Sequence, residues 1–194
     1  AHYTTSEGRN ASTSLPRQCI DAARGTAVYW GTCRKGLQLC MTEECYMRIL
    51  CCNVRCSTGK DGDDIWPNRK HTTLEVMRAQ NPDLICCQEV LGDQFSFLSS
   101  GLPEFDSFGT ADGPHSLDVV NTIFYRRAAF RRVSAGGHWL SETPHIAGSK
   151  SWDSDCIRLC NWLRLVDLQS GAEFRVVNTH LDHISQLARE NQGR

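Results

Sequence analysis

The chain has 194 residues, 40% of them hydrophobic, and a formal net charge of -1. That is enough apolar material for one well-packed domain. Near-neutral charge excludes a basic footprint built for non-specific nucleic-acid binding, and no apolar run approaches a membrane span.

The first stretch, "AHYTTSEGRNASTSLPR", is polar, Ser/Thr-rich and without helical or strand period. It shows no charged-then-apolar leader pattern. Residues 1–46 are therefore expected to form a poorly structured extension, in which Asn10-Ala11-Ser12 spells a glycosylation triplet. Met47 reads as a domain start. "MRILCCNVR" is a strand of continuous apolar character, expected to be buried on both faces. "DIWPNRKHTTLEVMRAQ" is a helix, with Pro67 in its first turn and Leu74, Val76 and Met77 on its apolar face. "NPD" ends it. "LICCQEV" is the next strand and "GDQFSFLSSGL" a short helix. Asp112-Gly113-Pro114 marks a loop. Strands follow at "FDSFGT", "VVNTIFYRR", "RRVSAGGHWLSE", "CIRLCNWLRLVDL" and "AEFRVVNTHL". The last two are joined by a hairpin turn containing Gly171, and an amphipathic helix begins after them. Helices alternate with strands early and strands dominate later, which suits two stacked sheets covered by helices.

Eleven cysteines is a high and odd number. Cys51-Cys52 and Cys86-Cys87 sit inside apolar runs, and neighbours on a strand point to opposite faces. They read as buried, reduced thiols acting as small hydrophobes, which favours a cytoplasmic setting over secretion. Zinc is the alternative, with Cys40/Cys45 or Cys52/Cys56 at tolerable spacing, but no CxxC pair occurs.

Three strand ends deliver polar groups after apolar runs: Asn53 and Arg55, then Gln88 and Glu89, then Asn178, His180 and Asp182. Sites are commonly assembled at such ends. Glu89 suits a hard cation such as Mg2+, which takes one or two carboxylates and completes its shell with water and phosphate. His180 suits proton transfer or a developing phosphate charge. Asn53 can orient Glu89 or a ligand. Arg55 and Arg158 are candidate phosphate clamps, to be weighed against ordinary surface ion pairs. Trp66 and Arg69 form a W-x-x-R, in which Trp66 is expected to pack.

"MRILCCNVR", "PDLICCQEV", "FYRR", "HWLSETP", "GSKSWD" and "NTHLDH" together resemble the endonuclease/exonuclease/phosphatase superfamily, in its order and spacing, over about residues 47–194. "WLSETP" with "GSKSWD" is most similar to its small single-domain branch. The resemblance implies an α/β (α+β) fold of two packed mixed β-sheets flanked by helices, a four-layer sandwich. It implies a phosphoester hydrolase of the phosphodiesterase, nuclease or phosphatase class, dependent on Mg2+ or Mn2+. Asn53 and Glu89 then fall on the metal side, His180 and Asp182 on the catalytic side, and Arg55 and Arg158 on the substrate side. The substrate would be a small molecule, a lipid head group or a nucleic acid, with near-neutral charge favouring the first two.

Two departures stand out. Where many relatives carry a Glu that braces the active-site His, this chain aligns Val119, with Asp118 beside it. The family's later Gly-Asp-x-Asn and Ser-Asp-His motifs do not follow "NTH" within these residues. The expectation is an N-terminal portion of the domain over 47–194, with an incomplete second sheet and no activity alone. The alternative is a non-catalytic interaction protein on the same scaffold.

Overall fold

The computed structural model describes residues 47–110, 118 and 120–194. The readings made for residues 1–46, for Cys40/Cys45, for Asp112-Gly113-Pro114 and for Val119 lie outside them.

β1 (Ile49–Asn53) and β2 (Leu84–Gln88) run parallel, connected through α1 (Trp66–Ala79). α1 starts where Pro67 needs no hydrogen-bond partner for its missing N–H. It stops at Gln80, whose N–H bonds back to Val76 O at 3.2 Å, before Asn81 turns left-handed at φ 43°. Its buried face is Trp66, Leu74 and Met77. Val76, expected on that face, is 53% exposed because it points about 100° or more around the helix from Leu74 and Met77. α2 (Gly92–Gly101) follows, then β3 (Phe105–Phe108) and β4 (Ile123–Arg126), giving a first sheet ordered β1-β2-β4-β3.

β5 (Phe130–Trp139), β6 (Leu159–Asp167) and β7 (Glu173–Thr179) form the second sheet in that order. The β6–β7 turn uses Gly171 at φ 70°, a left-handed position that suits a residue without Cβ. α3 (Gln186–Gln192) ends the chain, capped by the Ser185 side chain, which accepts from the Ala188 N–H at 3.1 Å.

Both sheets had been expected to be mixed. The first is, but every pairing described in the second is antiparallel, and it has three strands. β1 had been expected to be buried on both faces. Only β2 flanks it among the described residues, and it is half-buried; β2 has all five residues buried.

Two apolar layers result. On the helix side, Trp66, Leu74 and Met77 of α1 and Leu98 of α2 meet Ile85, Cys87 and Phe124. Between the sheets, Leu84, Cys86, Ile123 and Tyr125 meet Phe130, Leu163, Leu165 and Val176. Each large side chain fully buried there contributes roughly 1.5–3 kcal/mol. The adjacent Cys86 and Cys87 therefore serve opposite layers, as strand alternation requires. Burial pushes the Cys86 thiol up to about 12 and the Cys87 thiol well above its ordinary value. All seven cysteines among the described residues are free thiols.

A buried polar bridge crosses the sandwich between β2 and β7. Gln88 Nε2 donates to Asn178 Oδ1 at 2.8 Å, and Asn178 Nδ2 donates to Cys87 O and Thr122 O at 2.7 and 3.1 Å. Two of the polar strand-end residues thus satisfy each other and fix the register of β2 against β7.

Candidate active site

Glu89 follows the last residue of β2. It sits at φ 60°, a conformation a non-glycine residue adopts only when its surroundings impose it. The surroundings are explicit. Asn53 Nδ2 donates to Glu89 Oε1 at 2.8 Å, and the Cys56 N–H donates to Oε2 at 3.0 Å. The same Asn53 presents its Oδ1 to the Arg55 N–H at 2.8 Å, so both ends of the amide are assigned by their partners. Burial raises the Glu89 pKa. Those two hydrogen bonds, with the charges of His180 and Arg55, outweigh it and hold the carboxyl below its usual range.

The loop that supplies the Cys56 N–H is itself clamped. Arg69 reaches back from α1 to donate to Val54 O and Arg55 O at 2.5 and 2.6 Å, while its guanidinium lies 5.1 Å from the centroid of buried Trp66. The W-x-x-R spacing places both on one helix face. From α2, buried Gln94 accepts from the Ser57 N–H and donates to Arg55 O, and Asp93 accepts from Ser57 Oγ.

Facing this unit is the end of β7. His180 is half-buried and makes no hydrogen bond among the described residues. Burial is the main cause that lowers its pKa below 6.5; Arg158 and His183 lower it further, and Glu89 pulls it back. The ring is therefore neutral at pH 7 and able to accept a proton. The signs give a direct test by NMR titration of the His180 ring. Arg158→Ala is expected to raise the midpoint and Glu89→Gln to lower it. A midpoint unmoved by both changes would place His180 outside the reach of either group.

Asp182 was expected to act beside His180. It is instead 1% exposed. Its Oδ1 accepts from the N–H groups of Ile184 and Ser185 at 2.9 and 2.7 Å. Its Oδ2 accepts from Ser154 Oγ and the Asp155 and Cys156 N–H groups at 3.0, 2.9 and 3.4 Å. A carboxylate so occupied ties two loops together. Arg158 lies beside it, with Nε 3.9 Å from Oδ2 and Nη2 3.1 Å from His183 Nδ1. The Arg158 Nε is buried and makes no hydrogen bond.

A cleft of about 900 Å³ runs between these units, walled by Arg55, Cys56 and Glu89 on one side and Lys150, Arg158 and His180 on the other. The structure thus brings Glu89, His180 and Arg158 together. Asn53 had been placed on the metal side, as a group able to orient Glu89 or a ligand, and its amide nitrogen faces Glu89. Arg55 had been placed as a phosphate clamp. It lines the cleft, with its fork bidentate on Asp61 at 3.0 Å for both contacts and Nη1 3.9 Å from Glu89 Oε2. Asp118 accepts from the Gly92 N–H at the start of α2 at 2.9 Å. The Cys52/Cys56 zinc spacing is not used: Cys52 packs on the helix-side layer and Cys56 lines the cleft. Lys150 was missed as a cleft residue, although "GSKSWD" contains it, and His183 of "NTHLDH" lines the same cleft. The two residues are 33 positions apart in sequence, and nothing local signals that their loops meet.

Glu89 fits a hard cation. Each oxygen accepts one hydrogen bond and retains a lone pair, and a magnesium-like ion needs only one or two protein carboxylates.

No protein-family model matches the sequence, and no curated protein does. Solved structures do. The endonuclease/exonuclease/phosphatase protein of Bacteroides vulgatus is 31% identical with a TM-score of 0.72, over 75% of this chain and 56% of that one. The mannosyl-6-phosphatase of Bacteroides thetaiotaomicron is 31% identical with a TM-score of 0.71, over 76% of this chain and 56% of that one. The human nocturnin catalytic domain, at 19% identity and a TM-score of 0.58 over 74% of this chain and 52% of that one, shares the fold. The chain spans just over half the length of these structures.

Proposed function

The chain is, by its fold, a member of the endonuclease/exonuclease/phosphatase superfamily, and from that premise we propose that it belongs to a phosphoester hydrolase dependent on Mg2+ or Mn2+. The observation that carries the reading is Glu89: a carboxylate held in a left-handed backbone by two fixed donors, at the end of the most buried strand, across a cleft from a neutral histidine. Such strain concentrates at sites where geometry matters more than local stability.

Glu89 would hold the divalent ion, oriented by Asn53 and the Cys56 N–H. The ion, when bound, would supply charge stabilisation and a more acidic bound water. His180 is placed to take or share a proton at the reacting phosphate, and its lowered pKa keeps it available at neutral pH. Arg158 and Lys150 would hold phosphate oxygens; the unpartnered Arg158 Nε is a donor still to be satisfied. Asp182 would act through these groups by fixing the loops that carry Arg158 and His180. Charge near neutrality favours a small phosphoester such as a sugar phosphate, the class named for one of the similar structures. No helix among the described residues is long and apolar enough to cross a membrane, and the free thiols suit a reducing compartment such as the cytoplasm.

The test uses the protein with its sequence extended beyond Arg194 to the length of the similar structures. Hydrolysis of sugar phosphates and of a generic phosphodiester is measured with Mg2+ or Mn2+, with chelator, and after His180→Ala. Turnover that needs metal and His180 is expected. The 194-residue chain alone is expected to give none, since Glu89, His180 and Arg158 supply only part of what metal-assisted phosphoryl transfer needs. Absence of metal-dependent turnover on every substrate in the extended protein would favour an interaction role instead.

A further inference from the structure

Asp155, Cys156 and His183 are three exposed side chains whose ligand atoms all lie within 4.8 Å of one another. They are distinct from Glu89 and stand on the opposite wall of the cleft. We propose that they form a binding site for a borderline-soft transition-metal ion of the Zn2+ class, at the mouth of the cleft.

The donor set argues for that class of ion. Thiolate, imidazole and carboxylate are the three ligand types zinc takes, whereas magnesium and calcium avoid sulfur. Around a tetrahedral ion with zinc-like bonds the ligand atoms stand about 3.3–3.8 Å apart. Cys156 Sγ and Asp155 Oδ2 are already 3.3 Å apart. The remaining closure is within reach of rotation of exposed side chains. Three protein ligands would leave a fourth position for water or an anion.

The site is also built from behind. Asp182 Oδ2 accepts from the N–H groups of both Asp155 and Cys156, and Asp182 is the residue directly before His183. Buried Asp182 therefore fixes the backbone of all three ligands at once, which lowers the ordering cost of binding. Ser154 and Gln192 extend that support, as Gln192 Oε1 accepts from the Asp182 N–H and its Nε2 donates to Ser154 Oγ. Binding would deprotonate Cys156, its proton passing to solvent, and would replace the Arg158 hydrogen bond at His183 Nδ1 by a metal–nitrogen bond. Thiolate and carboxylate together would neutralise the charge of the ion, so the nearby Arg158 meets no net positive charge.

The proposal does not rest on phosphoesterase activity, and its readout involves none. The full chain is titrated with Co2+ as a spectroscopic probe and then with Zn2+ in competition. Thiolate-to-cobalt absorption in the near ultraviolet with intense tetrahedral visible bands is expected, displaced by Zn2+. Cys156→Ser is expected to abolish the charge-transfer absorption. His183→Ala and Asp155→Asn are expected to weaken binding more than about tenfold. All three side chains are exposed, so the variants keep the wild-type circular dichroism. A cobalt–thiolate spectrum unchanged in Cys156→Ser, or affinity unchanged in both His183→Ala and Asp155→Asn, would overturn the assignment, as would the absence of any such spectrum in the wild-type chain.

Discussion

Asp182→Ala is expected to destabilise the chain by about 3–5 kcal/mol, near the limit for single substitutions. The size follows from what is left behind. Four backbone donors, on Asp155, Cys156, Ile184 and Ser185, lose their acceptor, the Ser154 hydroxyl keeps only Cys156 O, and Arg158 loses the neighbouring negative charge. Each orphaned buried donor costs about 1–3 kcal/mol, moderated where water enters. In a domain of this size the melting temperature should fall by roughly 10 °C or more, read by calorimetry or urea unfolding. Acid gives the same answer by another route. Burial would raise the Asp182 pKa, but the hydrogen bonds led by Ser185 and Ile184 hold it far below 3.8. A carboxyl depressed in the fold contributes stability that is fully present above its unfolded value. That stability is lost as the pH falls through the folded value. The wild-type chain should therefore lose stability below about pH 4, with a gentler slope in Asp182→Ala. A loss under 1 kcal/mol in the variant would mean that the two loops are held by something else.

Glu89→Gln, in the extended protein, is expected to reduce metal-dependent hydrolysis by roughly three orders of magnitude, as when one member of an interdependent site is removed. Folding should survive. The amide keeps the shape and one acceptor; the other oxygen becomes a donor facing a donor, at a cost of about 1 kcal/mol in a partly exposed position. Glu89→Gly separates the catalytic role from a structural one. It removes two hydrogen bonds but also relieves about 1–2 kcal/mol of left-handed backbone strain, so stability changes little while activity disappears. Calorimetry and initial rates are measured on both variants. Activity within threefold of wild type at saturating Mg2+ would remove Glu89 from the metal role.

Much of this was legible in the residues. Strand and helix order followed from period and from Pro67, Gly171 and "NPD", because these are local signals. The opposite placement of Cys86 and Cys87 followed from strand alternation. Glu89 and His180 stood out because each follows an apolar run. What was not legible depended on who meets whom. Asn53 carries an amide that can serve as ligand or as donor, and only the position of Glu89 decides between them. Arg55 is six residues from Asp61, too irregular a separation for periodicity to pair them. Asp182 looked catalytic because of its neighbours in sequence. Its partners at 154–156 arrive from a different loop, and burial makes the same carboxylate a tie between loops.

The two neighbouring thiols on β2 have a practical consequence. Cys86 faces the other sheet, and Cys87 faces the helices. A thiol reagent cannot reach either one without an opening, and the two openings are different events. Labelling of Cys87 would time the lifting of α1 and α2 from the sheet, and labelling of Cys86 the parting of the sandwich. Peptide mapping that separates adjacent adducts would thus read two layers of one fold from a single dipeptide, showing whether they loosen together or in sequence.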